Sequence, residues 1–257
     1  MSFRPAFYAM VKRDLGKQFS FSLKTITFFL TPLIWLVLFL FLRGDKVTVS
    51  LPYGLIPYTA FIVLGIAVWR MVGFLFNKTT RFSQINRDTI KPILSLNYGK
   101  KTLFWSLITT NLISVLLLGL FVVSVGMLLY GFTIYLNNLP LAIIVLFLTL
   151  FSNLGIALIL LSFSFDYRWI KDFSYILVTV FVLTSGVFFP AEYFPFPLNL
   201  VAFAFPLTQG VSLLHSLLLF ENAPFSVPIF ITLLIETIVL FFLGKFLFFR
   251  KVSKLFR

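Results

Sequence analysis

Long apolar runs alternate with short polar segments along this chain. The runs cover about residues 26–42, 55–76, 103–130, 141–165, 173–189 and 227–249. Each is near or above the ~20 residues that an α-helix needs to cross ~30 Å of hydrocarbon. The pattern predicts an all-α integral membrane protein with six transmembrane helices and a single transmembrane domain over residues 1–257. Polar punctuation closes the runs: Arg43-Gly44-Asp45-Lys46 after the first, Asn77-Lys78 after the second, and a turn-like stretch ending in Asn137-Asn138-Leu139-Pro140 before the fourth.

Three further segments do not span. Residues 1–24 place Phe3, Phe7, Val11, Leu15 and Phe19 at four-residue spacing, with Lys12, Arg13 and Lys17 mostly opposite. That spacing predicts an amphipathic helix in the membrane interface, although Asp14 and Gln18 blur its apolar face. Residues 78–101 alternate basic side chains with Phe82, Ile85, Ile90, Ile93, Leu94 and Leu96. They read either as a short helix under the bilayer that a soluble partner can grip or as a solvated basic loop. Residues 190–225 carry no Lys or Arg and hold two apolar pieces too short to span. They predict a re-entrant helical hairpin outside the cytoplasm, acting either as a packed cap or as a lid on an exit path.

Charge then orients the spans. Hydrophobic residues make up 60% of the chain and charged residues 11%, against roughly 25% charged in a soluble domain. Of the 21 Lys and Arg, five precede the first span, six lie in the second-to-third loop, two in the fourth-to-fifth loop and five at the C-terminal end. With six spans these segments share one side; only Arg43 and Lys46 lie opposite. Both termini are therefore expected in the cytoplasm of a multi-pass cell-membrane protein. The net charge of +13 reads as an orientation and lipid-surface signal and not as a nucleic-acid signal.

Candidate chemistry is sparse. The chain has no Cys and one His, which excludes disulfides and thiolate sites and argues against a resident metal or a hydrolytic triad. The stretch Gly99-Lys100-Lys101-Thr102 lacks the first glycine of a phosphate loop, so no nucleotide site is expected in this chain. No cleavage-site pattern follows the first run, which is read as a retained span. Two charges fall inside spans, Arg70 and Glu236; an ion pair is the first expectation and a substrate contact or proton relay the second. His215 reads as a packed or interfacial side chain.

The second half carries a family pattern. Asp166-Tyr-Arg-Trp-Ile-Lys-Asp-Phe173 precedes the fifth span. Leu183-Thr-Ser-Gly-Val-Phe-Phe-Pro190, Tyr193-Phe-Pro195 and Phe205-Pro-Leu-Thr208 follow it. This succession resembles the permease subunit of type-2 ABC exporters, and the span count and flanking helices match over nearly the whole chain. The chain departs from the family at Arg87-Asp88-Thr89-Ile90-Lys91-Pro92: the acidic residue that ends the family's Gly-Thr-Leu-Glu-like stretch is missing, with Lys91 nearby, and the proline is displaced to Pro92. Phe205 and His215 stand where the family has Asn and Arg.

The resemblance implies a homodimeric permease bound to two cytoplasmic ATPase subunits, which would hold the ATP and Mg. It implies that Arg13, Arg81, Arg87, Asp88, Lys91 and Pro92 contact the ATPase. It also implies a path lined by spans one, two and five, with Val187, Phe188, Phe189, Tyr193, Phe194 and Pro206 at its outer exit. The cargo would be amphipathic: a lipid-linked glycan, a lipid or a hydrophobic small molecule. An ion- or proton-coupled secondary transporter is the alternative, with an intramembrane enzyme behind it.

Overall fold

A computed structural model describes residues 3–20, 23–43, 48–51, 54–82, 99–167, 169–222 and 225–255. The protein is mostly helical. In chain order the elements are α1 (Phe3–Phe19), α2 (Leu23–Arg43), β1 (Thr48–Leu51), β2 (Gly54–Pro57), α3 (Tyr58–Arg81), α4 (Gly99–Tyr130), α5 (Leu139–Ser164), α6 (Ile170–Thr184), a 3₁₀ turn (Ala191–Tyr193), α7 (Leu198–Phe203), α8 (Pro206–Leu219) and α9 (Val227–Leu255).

Local chemistry sets several boundaries. Gly131 takes φ +63° after α4, and its N–H closes the helix on the Met127 carbonyl at 2.9 Å. Pro140 and Pro206 sit in the first turns of α5 and α8, where a missing N–H costs nothing. Gly186 turns the chain out of α6 at φ +74°.

Four helices are long and apolar enough to cross a membrane: α3, α4, α5 and α9. These four match the second, third, fourth and sixth apolar runs, whereas α2 and α6 are apolar but fall short in the described residues. At 15 residues, α6 is roughly 22 Å long, less than the hydrocarbon thickness. Its apolar run continues through residues 185–189, but Gly186 ends the helix there.

A second difference concerns the all-helical expectation. Thr48–Leu51 and Gly54–Pro57 form a small antiparallel hairpin, in register Thr48↔Pro57 to Leu51↔Gly54. The second run therefore enters its helix at Tyr58 and not at residue 55, because Leu55 and Ile56 are used in the ladder. The segment after α6 holds two short helices, α7 and α8, joined at Ala204 and Phe205.

α3 occupies the centre of the bundle. Some 78% of its most apolar stretch is buried, against 17% for α9, which lies at the rim. α9 packs chiefly on α5 through a close crossing. A Cβ on Gly155 would lie 2.5 Å from the Leu240 carbonyl carbon, and one on Gly244 would lie 2.5 Å from the Gly155 oxygen. Small residues let the two backbones approach and gain the van der Waals contact that holds helices together in lipid.

Candidate functional site

Two of the residues singled out for an exit path, Val187 and Phe188, lie where the chain leaving α6 continues its packing on α3. The two helices run antiparallel and touch between Ser174 and Phe181 of α6. At one end the Thr80 and Ser174 hydroxyls lie 3.4 Å apart, and Arg81 Nη2 donates to the Tyr175 hydroxyl at 2.7 Å. Farther along, the Phe76 and Phe181 rings meet edge to face with centroids 5.9 Å apart. A Cβ on Gly73 would reach ordinary contact with Val178 at 3.4 Å. Past the end of α6, Trp69 meets Phe188 with ring centroids 6.0 Å apart. Finally Gly65 receives Val187 so closely that a Cβ there would lie 2.7 Å from the Val187 carbonyl oxygen.

The exit residues divide into two sets. Val187 and Pro206 are buried and act as packing: Val187 against Gly65, Pro206 as the first turn of α8. Phe188 and Phe194 are partly buried. Phe189 and Tyr193 are exposed. Tyr193 is nonetheless tethered, since its hydroxyl donates to the Ser50 carbonyl at 2.8 Å and lies 2.8 Å from the Ser50 hydroxyl. This tie joins the chain after α6 to the β-hairpin before α3.

At the opposite end of α3 a polar cluster holds α1 in place. Lys78 Nζ donates to Gln18 Oε1, to Ser114 Oγ at 3.1 Å and towards the Thr110 carbonyl at 3.5 Å. The single Ser114 hydroxyl proton is shared between the Thr110 carbonyl at 2.6 Å and the same Gln18 oxygen at 2.9 Å. One helical turn away, Asn111 Nδ2 donates to Thr79 Oγ1 at 2.9 Å. Three ammonium protons thus find three acceptors on two other helices, and the aliphatic stem passes beneath Phe74, whose ring centroid is 5.4 Å from Nζ. The apolar stripe of α1 turns inward as its spacing predicts, with Met10 and Val11 buried. Gln18, which blurs that stripe, supplies the acceptor for Lys78. Polar residues on an otherwise buried helical face were the available signal, but nothing in the chain order named Lys78 and Ser114 as their partners.

The residues expected to contact a soluble partner are only partly described. Arg81 ends α3 and is bound to Tyr175. Arg13 lies exposed on α1 and pairs with neighbouring Asp14 at 2.8 Å. Arg87, Asp88, Lys91 and Pro92 lie outside the described residues.

Arg70 and Glu236 do not pair, contrary to the first expectation for them. Arg70 lies against Trp69, its guanidinium carbon 5.6 Å from the indole centroid. Glu236 Oε1 instead accepts from Gln209 Nε2 at 3.0 Å, and the same amide nitrogen donates to the Phe203 carbonyl at 2.7 Å. The pairing partner of the intramembrane carboxyl is therefore a neutral amide from α8, a helix outside the six predicted spans. His215 is buried, its Nε2 3.0 Å from the Phe61 carbonyl and its ring 4.2 Å from the Phe61 ring. Among the described residues no group of three His, Cys, Asp or Glu side chains is placed to hold a metal ion. The chain matches no protein-family model, and no curated protein matches it significantly.

Proposed function

We propose that this chain is the membrane-spanning permease subunit of an ATP-driven ABC exporter, residing in the cell membrane with six spans and both termini in the cytoplasm. The observation that carries the reading is the ordered succession from Asp166 through Leu183–Pro190 and Tyr193–Pro195 to Phe205–Thr208, flanked by apolar and basic segments in matching order. Four spanning-length helices, two short helices after α6 and a packed N-terminal helix support it. Two copies would pair and bind two cytoplasmic ATPase subunits carrying ATP and Mg. The path would run between protomers beside α2, α3 and α6, and the cargo would be amphipathic.

In this reading the ATPases grip residues 78–101 and α1. The cluster of Lys78, Gln18 and Ser114 then transmits their motion, because it ties α1 to α3 and α4. Movement of α3 would carry α6 along the seam to Val187 and Tyr193.

The experiment is co-purification of the chain with an ATPase subunit encoded beside it, followed by ATP hydrolysis and transport assays in liposomes. A stable complex with ATP-dependent transport is expected. Charge reversal of Arg87 and Lys91 together should loosen the complex and leave membrane insertion intact. Transport that needs no ATPase and follows an imposed proton gradient would overturn the proposal in favour of a proton-coupled transporter.

A further inference from the structure

A cavity lies at the outer end of the α3–α6 seam, beside Phe61, Gly186, Glu192, Ser212 and His215. It measures about 310 Å³ counted to its open mouth, and its interior admits one group about the size of a water molecule. Buried residues form its floor; the half-exposed Glu192 and Ser212 stand at its edge.

The lining is mostly apolar, but it includes acceptors whose own protons are already engaged. Ser185 Oγ donates to the Val182 carbonyl at 3.2 Å, Ser216 Oγ to the Leu213 carbonyl at 2.9 Å and Ser212 Oγ to Glu192 Oε1 at 3.0 Å. Each hydroxyl oxygen keeps lone pairs to offer. His215 Nε2 faces a carbonyl oxygen, which only accepts, so Nε2 carries the proton and Nδ1 is the ring's acceptor. Among the described residues Glu192 forms no ion pair. A carboxylate and several acceptors around a small space call for a positively charged donor.

We propose that this cavity binds a primary ammonium group, presented by a small amine or by the headgroup of an aminophospholipid. An –NH₃⁺ group is close to water in size and offers three donors, with Glu192 as its counterion and Ser212 fixing that carboxylate. The open mouth lets the rest of the ligand remain outside. A trimethylammonium group is too large for the interior and has no N–H to donate. The assignment does not depend on the exporter reading, because it concerns binding alone.

The test is thermal unfolding of the purified full chain in detergent, titrated with ethanolamine, choline or NaCl at constant ionic strength. Ethanolamine is expected to raise Tm saturably, by about 3 °C at tenfold excess over Kd. Choline and NaCl should give no such rise. Glu192→Gln should abolish the shift and Ser212→Ala should weaken it; the second variant serves if the first fails to fold. In nanodiscs, phosphatidylethanolamine should displace ethanolamine if the source is a headgroup, whereas phosphatidylcholine should not; lack of displacement assigns the site to free amines. An equal rise with choline or Na⁺, no rise with ethanolamine, or a full rise in both variants would overturn the proposal.

Discussion

Gln18→Leu is expected to destabilise the protein more than removal of the lysine that Gln18 serves. The Gln18 side-chain oxygen accepts from both Lys78 Nζ and Ser114 Oγ. Replacing the amide by an alkyl chain leaves the partly buried Lys78 ammonium with two acceptors for three protons. A hydrogen bond to a charged group is worth about 1.5–3 kcal/mol in water-soluble proteins, and interhelical bonds in membranes average nearer 0.6 kcal/mol. A cost of about 2 kcal/mol is expected, which for a chain of this size lowers Tm by about 4–8 °C. Lys78→Met removes the charge together with its desolvation cost and leaves Ser114 its acceptors, the Thr110 carbonyl and Gln18. It should cost less than about 1 kcal/mol. The double variant should then resemble Lys78→Met, giving a coupling energy of about 1–2 kcal/mol. Tryptophan fluorescence during thermal unfolding reads this in detergent, since the chain has four Trp. Additive effects, with coupling below about 0.5 kcal/mol, would show that the cluster does not act as a unit and refute the reasoning.

Two glycines of α3, about two turns apart, should respond differently to alanine. At Gly73 the new methyl meets only ordinary contact at 3.4 Å, so Gly73→Ala should be neutral or raise Tm through helix propensity worth up to about 1 kcal/mol. At Gly65 the methyl would lie 2.7 Å from the Val187 carbonyl, so Gly65→Ala should lower Tm by overpacking costing about 1–3 kcal/mol; equal responses would refute the close approach. Gln209→Leu should destabilise by about 1–3 kcal/mol, because it strips Glu236 of its side-chain donor, and Gln209→Leu with Glu236→Leu should recover much of that loss in the same melt. A double variant less stable than the single would mean that the amide, not the stranded carboxyl, sets the cost.

How much of this was legible depended on whether one segment's own pattern decided the matter. The runs that became α3, α4, α5 and α9 announced themselves because a long apolar stretch has few alternatives in lipid. The four-residue spacing of Phe7, Val11, Leu15 and Phe19 announced the helix α1 and the face that it turns inward. The short hairpin of Thr48–Leu51 with Gly54–Pro57 escaped because its strands have four residues each and merge into the next apolar run. The early end of α6 escaped because residues 185–189 remain apolar after Gly186 has turned the backbone. Pairings between distant segments were the least legible. Arg70 and Glu236 were natural partners by charge, yet Gln209 reaches Glu236 from a helix that no hydropathy window counts as a span. Single-chain patterns give faces and lengths, and register across helices comes only from packing.

The seam explains how two distant ends of the molecule are linked. α3 has 24 residues and is therefore about 36 Å long, enough to reach from the Lys78 cluster to the β-hairpin. α6 is too short to make that journey alone. It is fastened to α3 near its start through Ser174 and Tyr175, and again beyond its end through Val187 and Phe188. Between those points Phe76 meets Phe181 edge to face. Close-packed interiors transmit displacement and do not absorb it. If the exporter reading proposed above holds, a push on α1 would pass through Gln18 and Lys78 into α3, and α6 would follow. The tie from Tyr193 to Ser50 closes the seam at the far end, because it binds the chain leaving α6 to the hairpin that enters α3. The exposed Phe189 and Tyr193 are thus the side chains that such a movement would displace most directly at that surface.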